Sequence, residues 1–205
     1  MATAATAIDE LELVGGALCL DFANIAGRHP SVTDAERLRG YADLIAWSRH
    51  VGSLDAGESV ALLAAAADRP DAADSVWRRA VALRELIYRL FAGLAAGSPT
   101  ARDLAAFNAA LADALGHARV VPGDGGFGWG WDDGPAALDR PLWPILRSAA
   151  DLLTSGRLDR VRTCAGHDCD WLFLDTSRNG TRRWCSMETC GNRAKVRRYS
   201  ARHGR

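Results

Sequence analysis

The chain has 205 residues, 48% hydrophobic and 24% charged, which suits one medium domain with its own core plus a small appendage. The segment Met1–Glu10 carries neither a basic region nor a long apolar stretch. No later run approaches the roughly 20 apolar residues that span a bilayer. The expectation is therefore a cytoplasmic protein with no secretion signal, presequence or membrane segment. Net charge is zero, but residues 1–155 hold 13 basic and 20 acidic side chains while residues 156–205 hold 12 and 5. A body at −7 joined to a tail at +7 points to an anionic partner for the tail.

In chain order, Leu11 to Asn24 is apolar around Gly15-Gly16 and suggests an extended entry followed by a helical turn. Thr33-Asp34-Ala35-Glu36 has capping-box spacing, and Leu38, Tyr41, Leu44, Ile45 and Trp47 recur at helical intervals, predicting a helix over 34–50. Further helices are expected over 57–68, over 72–96 with Val76, Ala80, Leu83, Ile87, Leu90 and Leu94 as its stripe, and over 99–115 behind a Ser98-Pro99 start. From His117 to Trp131 two extended runs flank a Gly/Asp turn and predict a β-hairpin. Its glycines lack the Gly-Lys-Ser/Thr ending of a phosphate loop, and Trp129 and Trp131, alternating on one face, read as core. A last body helix is expected near 140–155.

The tail concentrates chemistry. Cys164, Cys169, Cys185 and Cys190 form two Cys-x4-Cys pairs separated by fifteen residues, while Cys19 stands apart and reads as an ordinary buried thiol. In a chain without a secretion signal such a cluster favours metal over disulfides or an iron–sulfur cluster, and two close pairs suit tetrahedral Zn²⁺. One structural zinc is expected, with His167 outside a completed four-thiolate shell. Trp171–Asp175 and Thr181–Cys185 read as strands joined by Asn179-Gly180, so that the cysteine pairs bracket a hairpin. From Ser186 to Arg202 the sequence is helix-compatible. Val196 and Tyr199 share one side and are expected to pack on the hairpin, with Lys195, Arg198 and Arg202 on one basic stripe and Arg193 and Arg197 on another. A polar helix of this kind gains its stability from the metal.

The expected fold class is mainly α. Residues 1–155 form a helical domain with a small β-hairpin, and residues 156–205 form a four-cysteine zinc module of hairpin and helix. The run from Cys169 to Lys195, with Cys190-Gly191-Asn192-Arg193, closely resembles the CGNR zinc finger. Gly15 to Asn24 resembles the opening signature of the ABATE domain. The resemblance implies a stress-induced transcriptional regulator of bacterial, especially actinobacterial type, with a mostly helical N-terminal domain.

Two classes of function follow. In the first, a DNA-binding regulator, the body senses an effector or dimerises, and Arg178, Arg182, Arg183, Arg193, Lys195, Arg197, Arg198 and Arg202 contact nucleic acid. A finger of this size reads few bases, so specificity calls for a homodimer or a second element. In the second, a non-catalytic small-molecule or protein binder, the finger is a docking element, and Asp21, Asn24 and His29 could line a ligand pocket. Those three assemble no nucleophile, base and orienter, and a closed thiolate shell leaves no position for water. The expectation is that the protein is not an enzyme.

Overall fold

Apolar residues at helical spacing organise most of residues 8–27, 29, 36–98, 101–123, 125–132 and 137–203, which the computed structural model describes. A single 3-10 turn at Ile8–Glu10 precedes α1 (Leu18–Ala23), α2 (Tyr41–His50), α3 (Ala56–Asp68), α4 (Pro70–Ala95) and α5 (Ala101–Gly116). Strands β1 (Ala118–Gly123) and β2 (Gly126–Trp131) then form an antiparallel hairpin, and α6 (Leu142–Thr154) closes the body. In the tail, β3 (Val161–Thr163) and β4 (Leu172–Leu174) pair antiparallel, and a π-helical turn at Met187–Gly191 runs into α7 (Asn192–His203). No described helix is long and apolar enough to cross a membrane.

The helix ends show which local signals act. Asp55 and Glu58 exchange backbone-to-carboxylate hydrogen bonds of 2.7 and 2.8 Å, a capping box that starts α3 one residue before the expected position. Pro70 occupies the first turn of α4, where its missing N–H costs nothing. The expected helix over 34–50 is corrected, because Glu36 to Arg39 are not helical and α2 begins at Tyr41. The carboxylate of Glu36 instead accepts the Leu38 N–H and a bidentate pair from Arg84 at 2.6 and 2.7 Å, which anchors an extended entry. Thr33-Asp34-Ala35, the rest of that expected cap, lies outside the described residues, as does Pro99 of the expected Ser98-Pro99 start.

The core is built around α1. Its buried Cys19, Leu20, Phe22 and Ala23 meet α4 on one side and α6 on the other, with Trp47, Phe91 and Trp143 among the largest enclosed side chains. The stripe of α4 is buried from Ala73 through Leu90 as its period requires. The β1–β2 hairpin stands away from this core. Trp131 reaches back to Trp143 at 5.8 Å, but Trp129 is 55% exposed, which corrects its assignment to the core. Its ring instead carries the Arg147 guanidinium at 3.9 Å.

One apolar cluster crosses the junction at residues 155 and 156. Val161, Leu172 and Leu174 belong to the same buried cluster as α1, α4 and α6. The alternation of β4 explains the split: Leu172 and Leu174 face the body, whereas Trp171 and Phe173 pack with the four tail cysteines.

Candidate metal centre and nucleic-acid interface

The thiols of Cys164, Cys169, Cys185 and Cys190 gather at one point. Cys169 Sγ lies 3.7 Å from Cys185 Sγ, which lies 3.7 Å from Cys190 Sγ, and all four cysteines are buried and unbridged. A tetrahedron with Zn–S bonds of about 2.3 Å has edges of about 3.8 Å, so this spacing fits one zinc ion and is far too long for disulfides. The four cysteines are positioned to hold one metal ion. Hydrogen bonds among the thiols hold Cys164 below the ordinary thiol range and push Cys169 and Cys185 up. Four buried thiols converging on one point suit a cation at their centre.

Two turns deliver these sulfurs. The β3–β4 hairpin carries the first pair in its loop, closed by the Cys164 N–H donating to the Trp171 carbonyl at 2.9 Å. Asp168 takes a left-handed conformation (φ 55°), which fits the x4 spacing, and Cys164 Sγ accepts the Gly166 and Cys185 N–H groups at 3.3 Å each. A Cβ on Gly166 would come within 3.1 to 3.3 Å of Cys190 Sγ, Cys169 Cβ and Cys164 Sγ, so any larger residue there would press on the cluster. For the second pair, Ser186 caps the π-helical turn by accepting the Thr189 N–H, and the turn sets Cys190 beside Cys185.

The expected strand Thr181–Cys185 is corrected: β4 pairs with β3, and the cysteine pairs do not bracket a hairpin. Asp175 explains why. One carboxylate oxygen accepts the Ser177 N–H and hydroxyl and the other accepts the Arg182 N–H at 3.0 Å, which folds 175–182 into a loop. His167 lies outside the thiol cluster as expected, exposed and 2.8 Å from Asp168.

The N-terminal signature forms the seat for this hairpin. Gly15 accepts the Leu174 N–H at 2.8 Å, and Asn24 both donates to the Leu172 carbonyl (2.9 Å) and accepts its N–H (2.8 Å). Asp21 accepts the Gly15 N–H at 2.7 Å, and a Cβ on Gly15 would strike Asp21 at 2.8 to 2.9 Å. His29, 3% exposed, stacks on Trp171 with centroids 3.9 Å apart. The three residues expected to line a ligand pocket make different contacts along the seat. Burial pushes the Asp21 carboxyl up to about 6 and the His29 imidazole down to about 4, so His29 is neutral near pH 7.

The eight expected nucleic-acid contacts separate into groups. Arg182 is turned inward: its guanidinium donates to the carbonyls of Trp184 (3.0 Å), Val14 (3.2 Å) and Cys185 and lies 4.5 Å from the Phe173 ring centroid, which corrects its assignment to nucleic acid. Arg178 and Arg183 are exposed, Arg183 alongside Trp184. Arg193, Lys195, Arg197, Arg198 and Arg202 all project from α7, none of whose described residues is buried. Val196 and Tyr199 are 64% and 66% exposed, which corrects their expected packing on the hairpin. Arg193 and Arg197 also line a cleft of about 690 Å³ between α7 and the first cysteine knuckle.

A family model described as "ABATE: Putative stress-induced transcription regulator" matches residues 16–156. A model of the CGNR zinc finger matches residues 160–203. No curated protein is similar enough to match.

Proposed function

The chain belongs to the family with an ABATE domain followed by a CGNR zinc finger, and from that membership we propose a non-catalytic, DNA-binding transcriptional regulator in the cytoplasm. Cys164, Cys169, Cys185 and Cys190 hold one structural zinc, which fixes the finger and supports α7. The helix meets DNA through Arg193, Lys195, Arg197, Arg198 and Arg202, with Arg178 and Arg183 on the neighbouring loop. The helical body serves as a sensor or dimerisation unit, and a homodimer would supply the second half-site that so small a finger needs.

The observation that carries this reading is α7 itself: a helix of twelve residues with none buried, a dense row of arginines and two uncovered apolar side chains. Such a surface has no folding role of its own and suits a polyanion, with arginine fitted both to phosphates and to guanine edges. Its base sits on the metal centre, so the ion orients the row. Four thiolates close the tetrahedral shell, which suits a structural ion.

Selection of bound fragments from genomic DNA by the zinc-loaded full chain tests the proposal. Enrichment of a defined sequence is expected. Failure to enrich any sequence would leave the finger as a docking element between proteins.

A further inference from the structure

Around the thiol cluster stands a fifth donor that comes from the N-terminal part of the chain. A ring nitrogen of His29 and the sulfurs of Cys169, Cys185 and Cys190 all lie within 4.8 Å of one another, and all four residues are buried. Cys164 is not a member of that mutual set. Stacking on Trp171, two residues beyond Cys169, holds the imidazole plane in place, so the ring reaches the cluster as a rigid group. Tetrahedral zinc accepts four ligands, and imidazole nitrogen serves it as well as thiolate does, at about 2.0–2.1 Å. Five donors therefore compete for four positions.

We propose that His29 is an alternate zinc ligand, the ion being held by Cys169, Cys185 and Cys190 together with either Cys164 or His29. The inference rests on the zinc reading above. In the exchange the bond from zinc to Cys164 Sγ breaks and a bond to the His29 nitrogen forms. Cys164 leaves as a thiolate and takes a proton from solvent, and the net charge of the centre changes from −2 to −1. The leaving sulfur stays in place, because the N–H groups of Gly166 and Cys185 hold it at 3.3 Å. The exchange ties residue 29 covalently to the finger through the metal, and it lets the centre survive modification of Cys164. Occupancy of the alternate state thus couples the finger to the signature segment that seats it.

Cobalt substitution in the full-length chain provides the test, since Co²⁺ reports its ligands through thiolate charge-transfer intensity and d–d band position. The parent should bind one Co²⁺ with a four-thiolate spectrum. C164S should still bind one Co²⁺, with about three-quarters of the charge-transfer intensity and d–d bands shifted to shorter wavelength. C164S/H29A should bind at least about tenfold more weakly than C164S. Equal affinity of the single and double variants, or loss of binding in C164S alone, would overturn the proposal. Absence of cobalt and zinc binding in the parent would instead overturn the zinc reading beneath it. A second measurement needs no cysteine variant: limited alkylation of the zinc-loaded parent should leave the ion in molecules modified once at Cys164, whereas H29A should release zinc on that modification. Identical release from both proteins would also overturn the exchange.

Discussion

Asp21 shows how the seat for the finger constrains a single side chain. Its carboxylate accepts the Gly15 N–H and fixes the Gly-Gly turn that presents the Gly15 carbonyl to Leu174. Burial is the largest influence on it and raises its pKa to about 6 from an ordinary 3.8, so the charged form is the disfavoured one in the folded protein. A raised carboxyl contributes stability that is fully present below its unfolded pKa and lost as pH rises through about 6. D21N keeps an acceptor for Gly15 and removes the charge. We expect it to flatten the stability curve between about pH 4 and 6 relative to the parent. Urea unfolding of both zinc-loaded proteins across that range checks this, and the difference between them cancels the metal's own pH dependence. Parallel curves would mean that Asp21 is not held near 6. Arg182 teaches a related lesson: in sequence it is one more arginine of a basic tail, and only its inward carbonyl contacts mark it as structural.

At the scale of elements, legibility follows how local the deciding contacts are. The helices of the body were readable because their stripes repeat every three or four residues, and the described α3, α4, α5 and α6 fall within two residues of expectation. The cysteine pairs were readable because ligand spacing is a local property. Strand pairing was not, since β3 carries only Val161–Thr163 and its partner is chosen by the buried face that Leu172 and Leu174 present to α1 and α4. Asn179-Gly180 does form a turn, with Gly180 at φ 64°, but Asp175 closes the loop around it and keeps 181–185 from pairing with β4. The cluster position of His29 had no sequence signal, lying 135 residues before Cys164. Docking through β4 gives an expectation opposite to independent folding of residues 1–155. A chain ending at Ser155 loses Val161, Leu172 and Leu174 from the core and leaves the Asn24 amide without its backbone partners. A polar group left buried without its partner costs about 1–3 kcal/mol. We expect the truncated chain to be helical by circular dichroism but to melt broadly or aggregate. A sharp cooperative transition at the parent's temperature would show that the hairpin adds nothing to the body's core.

For the whole molecule, the separation of charge is the organising fact. On the proposed reading, an acidic body repels polyanions and a basic tail attracts them, which would steer a DNA duplex toward α7. The metal centre stands between the two, fixed to the body by the seat that Gly15, Asn24 and His29 form and to α7 by Cys190. The central claim is that α7 contacts nucleic acid, and titration of duplex DNA at two salt concentrations tests it most directly. The zinc-loaded parent should bind more weakly at higher salt, with log K falling by about 0.9 per log unit of salt for each phosphate contact. R193A/R197A should lower that slope by up to about 2 while zinc content and helicity stay unchanged, and Lys195, Arg198 and Arg202 on the other stripe serve as the comparison. Undetectable binding by the parent at low salt, or an unchanged slope in both sets of variants, would contradict the account.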